Sequence, residues 1–171
     1  DFWLDKDALY LRKIEEFYNQ YAARIRDWSE TTYKELIPLK IHQIWLGSPF
    51  PEFYEMNIES FQKFNSSFEY KLWTDADLAN FPFSAQNDDE RQKLLSAFDS
   101  CQNLAEKSDL LRLDILYEFG GLYADVDFDC LKSFEILHKN TEFYAGLSNT
   151  GTVEINNALI GCRAKHPLIK N

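Results

Sequence analysis

The segment Asn103 to Asp129, NLAEKSDLLRLDILYEFGGLYADVDFD, constrains this chain more than any other stretch. It reads as a helix, a glycine turn and a strand that runs into carboxylates. Asn103 suits an N-cap, and Glu106 three residues on completes a capping box. Leu104, Leu111, Ile115 and Phe119 recur at helical spacing, and Leu110, Leu113 and Leu116 widen the apolar face. A helix so apolar has to be covered on most of its circumference. Gly120 and Gly121 supply the positive φ of a C-cap and turn. Leu122 to Phe128 then reads as a buried strand. If that strand persists, Asp125, Asp127 and Asp129 share one face. Neighbours two apart on a strand lie about 6.6 Å apart and, at an effective dielectric near 20, repel by roughly 2.5 kcal/mol. A divalent cation reverses that repulsion, and hard carboxylate oxygens suit Mg²⁺ or Mn²⁺. Asp109 and Arg112, three apart, share one face of the preceding helix. Ligands of open α/β sheets sit at the carboxyl ends of the strands, so all four side chains could converge there.

The rest of the chain supplies the setting. Residues 1–36 read as a helical segment packed on the body, with Tyr10, Ile14, Phe17, Tyr21, Ile25 and Trp28 at three-four spacing. Pro38 marks its end. LKIHQIWL, Leu39 to Leu46, is a near-continuous apolar run closed by Gly47-Ser48-Pro49, as a central parallel strand reads. A helix opens at Pro51 and runs to about Phe64. Phe68 to Trp73 is a second strand, Thr74 caps a short helix, and Asp88 to Phe98 is another helix. Glu142 to Leu147 reads as a strand, Val153 to Cys162 as strand or helix, and His166-Pro167 as a helix start. Strands alternating with helices favour an α/β fold with a mostly parallel sheet flanked by helices.

A chain of 171 residues, 45% apolar and 16% aromatic, can bury one sizeable core. A net charge of −10 disfavours nucleic acid and anionic membranes as partners. It also means that a phosphorylated ligand needs a cation or a local basic group. No run of 18 apolar residues exists, so no integral membrane segment is expected. Cys101, Cys130 and Cys162 form no metal or redox motif and fit a reducing compartment. Asn65-Ser66-Ser67 is a formal glycosylation sequon.

Competing motif readings fail on inspection. A calcium loop starting at Asp125 needs Gly at its sixth position and Glu at its twelfth, where Cys130 and Ile136 stand. A haloacid dehalogenase-type phosphatase wants Thr where Asp129 stands. The combined pattern S-D-x-x-R, then L-Y-x-x-G-G-x-Y-x-D-x-D, is more specific. It resembles the sugar-binding Asp-x-Asp region of a glycosyltransferase superfamily that includes family 32 enzymes, such as the fungal Golgi α-mannosyltransferases, and the glucosylating domains of large clostridial toxins. Ser108, Asp109, Arg112, Leu116, Gly120, Gly121, Tyr123, Asp125 and Asp127 carry the match. Ile41 to Gly47, IHQIWLG, is similar to the family's first strand.

The resemblance implies a GT-A-like nucleotide-sugar-binding fold and retaining transfer of a hexose from a UDP- or GDP-sugar to a glycan, lipid or protein acceptor. It assigns Trp45 to base stacking, Ser108 and Tyr123 to the nucleotide pocket, and Asp109 and Arg112 to the transferred sugar. Asp125 matches the residue reaching ribose and sugar, and Asp127 the direct ligand of Mn²⁺ or Mg²⁺. Asp109, Arg112 and Asp125 are the catalytic candidates, and Asp125 with Asp127 the metal candidates. The family completes its metal site with residues further along, so residues 37–171 are expected to be a C-terminally incomplete catalytic core. Asp129 reads as a surface acid, Cys130 as a small core residue and His42 as a satisfied structural histidine. A cytoplasmic location, bacterial or after delivery to a host, is expected, with the Golgi lumen as the alternative if an anchor precedes Asp1. The competing functions are a non-catalytic nucleotide-sugar binder and a glycoside hydrolase using a carboxylate pair.

Overall fold

The computed structural model describes residues 5–27, 35–78, 87–148 and 154–170, with backbone only at 5–7, 10, 21–27 and 154. In chain order the elements are α1 (Asp5–Asp27), β1 (Lys40–Ile44), a 3₁₀ turn (Glu52–Tyr54), α2 (Glu55–Phe64), β2 (Glu69–Trp73) and α3 (Asp75–Leu78). They continue as α4 (Asp88–Ser100), α5 (Leu104–Phe119), β3 (Gly121–Ala124), α6 (Glu135–Asn140), β4 (Phe143–Ser148) and β5 (Glu154–Cys162).

The five strands form one sheet in the order β2-β1-β3-β5-β4. β1 pairs in parallel with β2 and β3, whereas β5 is antiparallel to both β3 and β4. Only β5 runs against the other four, so the mostly parallel expectation holds. The Val153 to Cys162 run, open between strand and helix in the sequence, is this reversed strand from Glu154.

Each face of the sheet has its own apolar layer. Leu111, Ile115 and Leu116 of α5 pack with Ile44, Tyr123, Ile160 and Cys162 on one face. Phe61 of α2 packs with Ile41, Phe68, Leu122, Ala124 and Cys130 on the other. Among the described side chains of α1 none is buried, and Leu9, Leu11, Phe17 and Tyr18 face outward. Of the stripe read as a packing face, Ile14 is half-buried and Phe17 exposed, while the side chains of Tyr10, Tyr21, Ile25 and Trp28 lie outside the described residues. No described helix is long and apolar enough to cross a membrane.

The α5–β3 corner forms as its sequence dictates. The Asn103 side chain accepts from Glu106 N at 2.9 Å. Glu106 returns the contact one residue early, accepting from Gln102 N at 2.8 Å rather than from the cap's own N–H. Gly120 (φ 62°) and Gly121 (φ 104°) both sit in the left-handed region. A Cβ on Gly121 would lie 2.8 Å from the Lys40 carbonyl oxygen, so the close approach of β3 to β1 admits only glycine.

Two histidines stitch the sheet to its surroundings in neutral form. His42 is 3% exposed, bonds through Nε2 to the Gly120 carbonyl at 2.9 Å, and accepts the Trp73 indole N–H at 3.2 Å. His138 bonds through Nδ1 to the Pro38 carbonyl and through Nε2 to the Tyr144 hydroxyl, both at 2.9 Å. Burial pushes each imidazole down from 6.5 to about 4. Between those values the unfolded chain binds protons that the folded chain refuses, so stability is full above pH 6.5 and falls as pH drops toward 4. Each shift corresponds to roughly 3 kcal/mol. Melting temperature should drop steeply between pH 7 and 4.5, and a flat profile would contradict this role.

The sequon asparagine is structural. Asn65 is buried, donates to the Phe61 carbonyl at 2.9 Å and accepts from Phe134 N at 2.8 Å. His166-Pro167 opens a turn rather than a helix among the described residues, closed by Ile169 N to the His166 carbonyl at 3.0 Å.

Candidate active site

The strand into the carboxylates is shorter than the sequence implies. β3 ends at Ala124, and Phe128 N bonds the Asp125 carbonyl at 3.3 Å to close a turn. The same carbonyl accepts from Gln43 Nε2 at 3.1 Å, fixing the turn to β1. Val126 is buried in this turn, Asp125 is half-buried, and Asp127 and Asp129 are exposed. Strand alternation therefore does not align Asp125, Asp127 and Asp129. The turn aligns two of them: Asp125 and Asp127 border one crevice with Val126 between them. Asp129 is the surface acid and Cys130 the small core residue expected of them.

The crevice, about 430 Å³, is lined among others by Trp45, Tyr54, Ser108, Arg112, Asp125 and Asp127. Tyr123 lines it too, so the structure brings Trp45, Ser108, Arg112, Tyr123, Asp125 and Asp127 to one cavity at the carboxyl ends of β1 and β3. Asp109 joins them through Arg112. Trp45 is half-buried and outside the buried core, and it lines the crevice. Ser108 donates its hydroxyl to the Leu104 carbonyl at 2.9 Å.

Arg112 organises the centre. It is 6% exposed and lies over the Tyr123 ring at 4.6 Å. Its Nη2 meets Asp109 Oδ1 at 2.8 Å, and its Nη1 lies 3.3 Å from Asp125 Oδ1. Nη1 also donates to the Asn157 carbonyl at 2.8 Å, and Nε to the Ser108 carbonyl at 3.4 Å. A guanidinium so fully engaged is a scaffold for two carboxylates, with little capacity left to bind an anion. Tyr123 donates its hydroxyl to Asp125 Oδ1 at 2.7 Å. Burial raises the Asp125 carboxyl above the usual range, with Asp127 and Asp109 adding to the rise, while Tyr123 and Arg112 oppose it. Burial likewise drives the Tyr123 hydroxyl up, so it stays a donor.

Asn157 was invisible in the sequence. Its Nδ2 donates to Asp109 Oδ1 at 3.0 Å while its carbonyl holds Arg112. It reaches them because β5 carries a bulge: Ala145 and Gly146 are consecutive on β4, yet they pair with Ile160 and Asn156. The three extra residues, Asn157 to Leu159, have no partner on β4: Leu159 stays paired with Ala124 of β3, the Ala158 carbonyl accepts from Asp125 N at 2.9 Å, and Asn157 reaches α5. No spacing rule connects Asn157 to a helix 48 residues earlier. Asn157→Ala should leave Asp109 held by Arg112 alone, lowering any turnover in this crevice roughly tenfold with little change in melting temperature, by the scale of a lost hydrogen bond to a charged group. Initial-rate kinetics would check it, and wild-type rates would contradict it.

Three carboxylates face one guanidinium, so the crevice carries excess negative charge that disfavours a diphosphate without a cation. Asp127 makes no salt bridge among the described residues. No three described His, Cys, Asp or Glu side chains cluster as a protein cage. Mg²⁺-type sites use one or two carboxylates and complete their shell with substrate phosphates and water, and Asp125 and Asp127 border the crevice as a pair.

Known proteins share the family and the fold of this chain. A family model described as "Glycosyltransferase sugar-binding region containing DXD motif" matches residues 51–144. Inositol phosphoceramide mannosyltransferase 3 of Schizosaccharomyces pombe is 28% identical over 160 residues, which is 93% of this chain and 40% of that protein. The chain thus spans less than half the length of that relative. The solved PaToxG glycosyltransferase superposes with a TM-score of 0.58 at 17% identity, covering 97% of this chain and 68% of its own. The catalytic domain of alpha-toxin from Clostridium novyi gives 0.56 at 12% identity, covering 91% and 60%. The fold is GT-A-like, a five-stranded α/β sheet with its crevice at the strand ends. By its family match and its fold together, the chain belongs to the glycosyltransferases that carry the DXD sugar-binding region.

Proposed function

We propose that this crevice binds a nucleotide-diphosphate hexose and supports its retaining, metal-dependent transfer to an acceptor hydroxyl. The observation that carries the reading is Arg112, buried against the Tyr123 ring and holding Asp109 and Asp125 in a cavity lined by Trp45. Such a network costs desolvation and leaves a carboxyl perturbed, which is the mark of a site arranged for a ligand rather than for stability.

Trp45 offers its ring face to the base, a contact worth about 1–3 kcal/mol per base. Asp109 and Asp125 each have Oδ1 occupied by protein donors. Their second oxygens are the acceptors offered to sugar hydroxyls, a bidentate geometry that fixes the sugar before reaction. Asp127, with Asp125, would hold Mn²⁺ or Mg²⁺, whose charge neutralises the departing diphosphate. Tyr123 keeps Asp125 from rotating away. The acceptor hydroxyl approaches from the face the diphosphate leaves, so an α-linked donor gives an α-linked product. The S. pombe relative is named for mannosyl transfer to an inositol phosphoceramide. Mannose and an inositol-bearing acceptor therefore belong in the first screen.

Incubation with UDP-glucose and GDP-mannose, each with Mn²⁺, tests this. Release of UDP or GDP and an α-configured product by NMR are expected. Donor retained without release would mark a binder. Turnover unaffected by chelator would favour a hydrolase.

A further inference from the structure

Trp45 does not stand alone on its wall. The loop after β1 and the 3₁₀ turn that follows place Trp45, Phe50 and Tyr54 in a closed triangle of rings. Trp45 meets Phe50 edge-on at 5.6 Å and 78°, and Tyr54 at 5.8 Å and 61°. Phe50 and Tyr54 close the triangle at 6.3 Å. The indole N–H donates to Ser48 Oγ at 3.2 Å, so the fourth side of the ring is also held.

The loop bearing this triangle is itself pinned. Trp45 N bonds the Trp73 carbonyl at 2.9 Å, and Gly47 N bonds Asp75 Oδ2 at 2.8 Å. Gly47 has φ 81° and lies against the Leu104 side chain at the start of α5. Three elements, β2, α3 and α5, therefore hold one short loop. Near-perpendicular ring contacts are the favoured geometry of aromatic pairs and contribute beyond simple burial. They fix the tilt of the indole relative to its neighbours, and Trp45 and Tyr54 both line the crevice.

We propose that Phe50 and Tyr54 are positioning residues of the donor site, fixing the plane of Trp45 so that a nucleoside base meets a pre-oriented ring. The assignment rests on the nucleotide-sugar reading given above. Without the triangle, the indole hinges about its own side-chain torsions, and each binding event has to order it again. Preorganisation of this kind enters affinity and leaves chemistry alone. The Tyr54 hydroxyl is not needed for the effect; its ring is.

UDP and GDP, with Mn²⁺, are the probes, titrated calorimetrically into wild-type protein and the variants Tyr54→Ala, Phe50→Ala and Tyr54→Phe. Steady-state kinetics on the better donor accompany them. For Tyr54→Ala and Phe50→Ala we expect Kd and donor KM to rise about 5- to 20-fold, below the whole stacking contribution, while kcat at saturating donor stays within about twofold. Tyr54→Phe should restore wild-type Kd. Folded alanine variants with wild-type Kd would overturn the assignment, as would loss of kcat at unchanged Kd, or failure of Tyr54→Phe to restore binding. Wild-type protein that binds neither nucleotide would instead remove the nucleotide-sugar reading itself. Melting temperature and circular dichroism of each variant separate misfolding from lost positioning. Should both alanine variants prove unfolded, Tyr54→Leu, which keeps volume but not the ring, carries the test with the same expected rise.

Discussion

Asp127→Asn should abolish transfer and donor hydrolysis, lowering turnover by about 10³-fold or more, while the protein stays as stable as wild type. The two halves of that expectation have separate causes. Asp127 is exposed at the crevice lip, and among the described residues it makes no salt bridge, so its charge supports nothing in the fold. Its one described electrostatic effect is unfavourable, since it helps to raise the neighbouring Asp125 carboxyl. Removing the charge while keeping the shape should leave melting temperature within about 2 °C of wild type. The catalytic half follows from coordination chemistry. Asn is a far poorer ligand for a hard dication than a carboxylate is. Added Mn²⁺ should rescue the variant only at elevated concentration, if at all. A variant turning over at the wild-type rate would dismiss Asp127 from the site.

Arg112 should behave differently, because fold and site depend on it together. Arg112→Met removes the cation between Asp109 and Asp125 and leaves the Asn157 carbonyl without its donor. Full loss of a buried pair's partner costs roughly 3–5 kcal/mol. Here the Asp109 and Asp125 side chains keep 51% and 33% exposure, so solvent recovers part of it. A loss of about 2–3 kcal/mol, or roughly 5–10 °C in melting temperature, is expected. Arg112→Lys is the sharper variant. One ammonium cannot span acceptors on α5, β5 and the turn after β3, so transfer should fall about 10²-fold even where the fold survives. Calorimetric melts with donor-hydrolysis rates would check both. Wild-type turnover in Arg112→Lys would show that only charge matters there, contrary to the scaffold role.

The sequence made some of this legible and hid the rest for identifiable reasons. Local signals carried far. The Asn103 cap and the Gly120-Gly121 turn depend on backbone stereochemistry within a few residues, and both stand as read. β1 and β3 were visible as apolar runs because strands buried on both faces need them, whereas β2, also read as a strand, is a half-buried edge. The single reversed strand was not readable, since Val153 to Cys162 has no period that separates strand from helix. Strand alternation failed at Asp125, where Gln43 and Phe128 bond its carbonyl and turn the chain. The Asp109–Arg112 spacing was read correctly as one helix face, but not its burial, because Tyr123 and Asn157 come from other strands. His42 was legible as a satisfied histidine, though its partners Gly120 and Trp73 were not.

One central claim joins these pieces: the carboxylates after β3 hold a cation that holds a diphosphate. Thermal unfolding of wild type and Asp127→Asn, each with UDP alone, Mn²⁺ alone and both together, tests it most directly. Bound ligand raises melting temperature by mass action. The account predicts a rise for wild type with UDP and Mn²⁺ together that exceeds the sum of the separate rises, and no such excess for Asp127→Asn. An equal rise in the two proteins, or a wild-type rise with UDP that ignores Mn²⁺, would contradict it.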